Sequence, residues 1–234
     1  MDCNNSQNFN GLSANTLKLI AIFAMTVDHV AWVFIPDKTQ LLPVIMHIFG
    51  RITAPVMCFF ISEGLFYTKS VKKYILRLLL FAVPSHFAYA FAFGYSFTAL
   101  KTSMLWTLAW GLIALAALKS RMNPALKVLI TAAAFILTFF SDWYYVGVIM
   151  VLIFGLNRGS FKRQAAILSV FIIGFAIYYT YAYHDPLYGA VQLGVLLSLP
   201  LLYLYNGQRG KYKLKWLFYT YYPAHLALLG FIRP

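Results

Sequence analysis

The chain has 234 residues, of which 62% are hydrophobic and only 11% charged, and its formal charge is +13. So apolar a composition suits a protein whose solvent is mostly lipid, and it leaves no room for a soluble domain. The Lys and Arg residues fall between apolar runs instead of sharing one amphipathic surface, so the positive charge reports membrane topology and speaks against a nucleic-acid partner.

Residues 1–16 form a polar tail with no basic n-region or cleavage site, so the first apolar segment is expected to direct insertion itself. Residues 17–234 are expected to form a single integral membrane domain. Nine apolar segments follow one another at 17–35, 42–66, 74–93, 103–118, 126–140, 142–157, 163–183, 187–205 and 216–232. Asp142 leaves almost no loop between the fifth and sixth, which predicts a tight helical hairpin. The expected fold class is all-α, a polytopic transmembrane helical bundle of about nine spans. Cys3 lies in the tail and Cys58 inside a span, without metal spacing, so neither a disulfide nor a metal site is expected.

Basic residues sort by loop. Lys18, the Lys69/Lys72/Lys73/Arg77 group, Lys119, Arg121 and Lys127, Arg158, Lys162 and Arg163, and Arg209, Lys211, Lys213 and Lys215 all fall on one side. That side is predicted to be cytoplasmic, with the N-terminus inside and, for nine spans, the C-terminus outside. The opposite side receives only Lys38, Lys101 and Arg233, with Asp37, Asp142 and Asp185.

Asp28-His29 lies in the middle of the first span, where an Asp costs roughly 3 kcal/mol on insertion scales, so its default reading is functional. Arg51 lies within the second span and needs a partner, a ligand or a wet cavity. At about 1.5 Å per residue, His29 is roughly 16 Å beyond Lys18, while Arg51 and His225 are each roughly 14 Å from one end of their spans. The depths predict one buried polar centre built by the first, second and last helices, with His86 of the third at similar depth.

His29 suits a general base acting on an amine or hydroxyl, or a carrier of the acyl group itself. Asp28 points about 100° away from it and is expected to pair with Arg51 or another helix. Arg51 would hold Asp28 ionised or stabilise oxyanion charge. Glu63, nearer the cytoplasmic end, is a proton-handling candidate that would otherwise neutralise Arg77 or cap backbone. Tyr222 and His225 share a helix face and, with His86, are substrate-binding candidates. Lys18 lies on the same helix face as His29. With Lys69, Lys72, Lys73 and Arg77 it would grip the phosphates of a carrier whose thin acyl arm reaches the midplane, a geometry that suits acetyl-CoA. The same cations also serve as positive-inside determinants on lipid phosphates. Two other classes fit intramembrane Asp, His, Glu and Arg: a proton-coupled transporter and a noncatalytic scaffold with polar interhelical clamps.

The segments Leu17-Lys18-Leu19-Ile20-Ala21 with Asp28-His29, Gly50-Arg51-Ile52-Thr53-Ala54-Pro55 and Phe59-Phe60-Ile61-Ser62-Glu63-Gly64 occur in a distinctive order. So do Thr68-Lys69-Ser70-Val71-Lys72-Lys73-Tyr74 with Arg77-Leu78, Asp142-Trp143-Tyr144-Tyr145-Val146-Gly147-Val148 and Phe218-Tyr219-Thr220-Tyr221-Tyr222-Pro223-Ala224-His225-Leu226. This set spans nearly the whole chain and resembles the TraX family of membrane acetyltransferases. The resemblance implies acetyl transfer from cytoplasmic acetyl-CoA in the bacterial cytoplasmic membrane, the family's named activity being N-terminal acetylation of conjugative F-type pilin. It also implies that His29 matches the first-helix histidine regarded as catalytic in the larger class of polytopic acyltransferases, and Arg51 an arginine preceding its second-helix aromatic segment. Where that class often reads Ser-Gly, this chain reads Ser62-Glu63-Gly64. No motif identifies the acceptor, which is open among a peptide, a sugar and a small molecule.

Overall fold

The computed structural model describes residues 11–233, and among them the chain is all-helical. Cys3 lies outside the described residues. The polar tail ends earlier than expected, because Ser13 accepts a hydrogen bond from the Thr16 amide and starts α1 at Ala14–Phe34. The second apolar segment is two helices, α2 (Leu41–Gly50) and α3 (Thr53–Tyr67), and Arg51 occupies the break. Ser70 caps α4 (Val71–Phe93), which ends at Gly94 with φ +71°. The middle of the chain gives α5 (Met104–Lys119), α6 (Pro124–Leu137) and α7 (Tyr144–Leu156). α8 (Phe161–Tyr183) precedes an eighth segment that is also broken, into α9 (Pro186–Gln192), a 3-10 turn and α10 (Ser198–Tyr203). The last helix is α11 (Lys215–Ile232).

All nine predicted apolar segments are therefore helical. Five are long and apolar enough to cross a membrane: α1, α2 with α3, α4, α8, and α9 through α10. The helices α5, α6 and α7 are shorter, so the expected count of nine crossings is not established by length. The apolar flanks of α6 and α8 are exposed, Ile136 at 72% and Val170 at 74%, as lipid-facing surfaces require. Where helices meet, small residues let backbones approach: Ala21, Ala24, Ala54, Ala109 and Ala114 are almost fully buried.

The helices α4 and α11 run in parallel, Phe81 at the middle of α4 packing on Tyr219 in the first half of α11, and Phe91 on Phe231 near the ends of both. α1 starts at the same end, where Leu12 pairs with Tyr205 and the Asn15 side chain donates to the Tyr212 carbonyl. Lys18, Arg77, Arg209 and Lys215 gather there, making it the basic end of the bundle.

Candidate active site

Two cavities are stacked along α1. Lys18 on its first half faces a cavity of about 550 Å³ at the basic end, shared with Glu63, Arg77, Arg209 and Lys215. Asp28 and His29, three turns on, face one of about 220 Å³ shared with Arg51, Lys101, Asp142 and Tyr222. The two cavities adjoin along α3 and α5. Met104 lines one cavity and its chain neighbour Leu105 the other, and Ala54 and Met57 divide in the same way on α3.

His29 is held by α11. His225 Nδ1 lies 2.9 Å from the Tyr221 carbonyl, one turn back on its own helix, and a carbonyl only accepts, so that nitrogen carries the proton. The neutral imidazole of His225 then presents Nε2 as an acceptor, and His29 Nδ1 lies 2.8 Å from it and donates. The rings are within 2° of parallel with centroids 5.1 Å apart, which is the N···N distance plus a ring radius at each end. They meet edge to edge in one plane, as an in-plane hydrogen bond demands. The lone pair of His29 is thereby fixed on Nε2, which has no hydrogen-bond partner among the described residues. Phe93 and Tyr222 pack edge-on against the His29 ring.

Asp28 pairs with a residue that sequence reasoning passed over. His47 Nδ1 donates to Asp28 Oδ1 at 2.7 Å, and both residues are buried. The approach depends on Gly50, because a Cβ there would run into the Asp28 side chain. Trp32, one turn beyond Asp28, lies 4.7 Å from the His47 ring. His47 sits one turn before Arg51, and an intramembrane histidine at that spacing was the available signal.

Arg51 does not bond to Asp28. Its guanidinium lies 5.3 Å from the Trp143 ring, and its buried Nε has no hydrogen-bond partner among the described residues. Asp142 joins from the turn between α6 and α7, held by the Tyr89 hydroxyl, which donates at 3.2 Å, and by its own amide, which donates to the Thr102 carbonyl. Burial, reinforced by the charge of Asp28, pushes the Asp142 carboxyl up to about 6, against the opposing pull of Arg51.

The structure thus brings together His29, Asp28, Arg51, Tyr222 and, behind His29, His225. Two candidates lie elsewhere. Glu63 faces the basic cavity and forms an ion pair with Arg158, with N–O distances of 2.9 and 3.2 Å. His86 does not line the cavity and donates through Nε2 to the Phe97 carbonyl at 2.9 Å. Of the predicted phosphate-binding group, Lys18 and Arg77 line the basic cavity, whereas Lys69, Lys72 and Lys73 are exposed outside it. Arg209 and Lys215, read from the sequence only as topology determinants, take their place. No group of three potential metal ligands occurs among the described residues.

The family described as TraX protein matches residues 13–233, a stretch that contains every residue of both cavities. The chain belongs to the TraX family. This TraX-family chain is also 30% identical, over 235 residues, to the "Probable fimbrial assembly protein FimC, serogroup H1" of Dichelobacter nodosus, with 93% of this chain and 94% of that relative covered. A 60-residue stretch is 42% identical to the "Uncharacterized protein RP591" of Rickettsia prowazekii (strain Madrid E), covering 26% of this chain and 22% of that one. No solved structure matches the chain.

Proposed function

We propose that this TraX-family membrane protein is an acetyltransferase of the bacterial cytoplasmic membrane, moving an acetyl group from acetyl-CoA to the free amine of a peptide. The observation that carries the reading is the lone pair fixed on His29 Nε2 at the wall of a polar, partly enclosed cavity. A pilus-type subunit is the acceptor class to which the printed name of the Dichelobacter relative points.

The basic cavity fits the donor. Four cations converge on it, its one carboxylate, Glu63, is already engaged by Arg158, and the buried Arg77 Nε has no partner among the described residues. Phosphate groups would meet Lys18, Arg77, Arg209 and Lys215, and the apolar wall formed by Met57, Leu105 and Leu108 leads toward the polar cavity. Acetyl-CoA supplies the acyl group as a thioester. His29 Nε2 takes the proton of the acceptor nitrogen as that nitrogen bonds to the acyl carbon, and later gives a proton to the departing sulfur. His225 keeps the imidazole in the useful tautomer and accepts from Nδ1–H throughout, the orienting part of a nucleophile–base–orienter arrangement. Arg51, with donors not spent on Asp28, stabilises negative charge as it develops on the carbonyl oxygen.

The test uses the purified full-length protein, isotope-labelled acetyl-CoA and a pool of random hexapeptide amides with free amino termini, read by mass spectrometry. The expected outcome is label on the peptide amino terminus with stoichiometric release of CoA. His29→Gln should lower turnover by about 100-fold or more while CoA binding and folding persist. Absence of labelled peptide with the unaltered protein overturns the reading, and near-normal turnover by His29→Gln removes His29 from the base role.

A further inference from the structure

Amine acetylation has a proton count that one base does not satisfy. A peptide amino group has a pKa of about 8, so near neutrality it arrives mostly as an ammonium. An ammonium has no lone pair to attack with. One proton must leave before the C–N bond forms and a second as it forms, and only the second is taken by His29 and handed to the departing sulfur.

The polar cavity holds a second acceptor of the right kind. Asp28 is next to His29 on α1, so its side chain leaves the helix about 100° away and reaches the same cavity by a different wall. His47 holds Oδ1, and Oδ2 has no hydrogen-bond partner among the described residues. Three further features are built around this pair. Gly50 admits α1 to the side of α2, Trp32 covers the His47 ring, and Arg51, one turn from His47, is turned to Trp143 and leaves the carboxylate unneutralised by a guanidinium. A simple interhelical clamp has no need of cavity exposure on its carboxylate. Here Asp28 lines the same cavity as the base.

We infer that Asp28, positioned by His47, removes the first proton from the ammonium of the acceptor and so delivers a free amine to His29. The inference rests on the acetyltransferase reading. In the balanced sequence, the ammonium gives one proton to the Asp28 carboxylate and becomes an amine. The amine nitrogen bonds to the acyl carbon, the carbon–sulfur bond breaks, His29 passes the second proton to sulfur, and Asp28 releases the first to solvent through the cavity. The products are the acetylated peptide, CoA thiol and one proton. His47 is a positioning residue in this scheme, since it touches Asp28 and not the reacting atoms.

Other charged or titrating groups around Asp28, apart from tyrosines, are His47 on α2, Arg51 after α2, His29 on α1, Lys38 in the loop after α1, and Lys101 and Asp142 from the loops flanking α5 and α7. None of these is altered in the decisive variants except His47. The experiment follows acetylation of the same hexapeptide pool between pH 7 and pH 9 by the full-length protein and by Asp28→Asn, His47→Leu and His47→Gln.

Without the carboxylate, turnover must wait for the free amine in solution, about one molecule in ten at pH 7 for a pKa of about 8. Asp28→Asn should therefore be slower by about tenfold at pH 7, with the deficit shrinking as pH rises and gone near pH 9. His47→Leu should show the same convergence, and His47→Gln, which keeps an N–H donor for Asp28, should stay within about threefold at every pH. A loss independent of pH, or no loss at all, overturns the proposal. If Asp28→Asn fails to fold, the contrast between His47→Leu and His47→Gln decides alone. A chain that labels no peptide without any substitution fails the acetyltransferase reading itself, a separate outcome from a flat pH profile.

Discussion

At the scale of single residues, the polar cavity sets charged groups in surroundings that resist charge, and Asp142 shows the consequence. Its carboxyl sits at about 6 in the folded protein because burial, chiefly, disfavours the ionised form. In the unfolded chain the same group titrates near 3.9, so the folded state binds a proton more readily. The ionised form therefore costs stability above about pH 6, and that cost fades as pH falls from about 6 toward 4. Asp142→Asn keeps an acceptor for the Tyr89 hydroxyl and removes the cost. Its melting temperature in detergent should exceed that of the unaltered protein at pH 8 by roughly a few degrees, and the two should converge by pH 4. Equal melting temperatures at pH 8 would mean that Arg51 and Lys101 fully compensate the buried charge.

At the scale of elements, α4 explains why some of the predicted phosphate-binding residues lie in the cavity and others outside it. Tyr74 and Leu78 mark the buried face of this helix, and Arg77 flanks that face, whereas Lys72 and Lys73 point further round and Lys69 precedes the Ser70 cap. The apolar period of α4 was present in the sequence, so Arg77 was distinguishable from its neighbours by helical spacing alone. Arg209 and Lys215 were not. They reach the cavity only because the segment after α10 is tied back to the start of α1, where the amides of Ala14 and Asn15 donate to the carbonyls of Gln208 and Arg209. No local pattern announces such a long-range contact. The same holds for the polar centre: the depth of His29, Arg51 and His225 was legible from rise per residue, but the choice of His47 as partner for Asp28 depends on how closely α1 and α2 pass at Gly50. Glu63 and His86 shared the residue types of the centre without its location. If the basic cavity holds the CoA phosphates, replacing Arg77 and Arg209 together by Gln should raise the KM for acetyl-CoA about 100-fold or more with little change in kcat, since charge-assisted contacts contribute about 1.5–3 kcal/mol each. Replacing Lys72 and Lys73 should change neither. A KM that follows the α4 lysines instead would move the phosphate site to the surface.

At the scale of the whole molecule, the described ends of the chain lie at opposite ends of the bundle. α1 begins beside Tyr205 and Tyr212, α11 begins at the same basic end with Lys215, and α11 then runs alongside α4 to finish by Phe91 and Gly94. If the bundle axis lies along the membrane normal and α11 crosses with it, the expected number of crossings is odd whether or not the short helices α5, α6 and α7 each span the full bilayer. α5 also has a direction: Met104 starts at the polar cavity, Leu105 and Leu108 face the basic one, and Lys119 and Arg121 come after. Lys and Arg in short loops are retained on the cytoplasmic side, so the basic end should face the cytoplasm, with the donor cavity open to it and the polar cavity toward the opposite side. A reporter fused after Arg233 should accordingly be external, and one inserted at Arg121 cytoplasmic. The Arg121 position is the more demanding of the two, because it requires the short α5 to return the chain to the inner side. An external Arg121 would leave α5 re-entrant and reduce the count of crossings below nine, and a cytoplasmic C-terminus would contradict the placement of α11 itself.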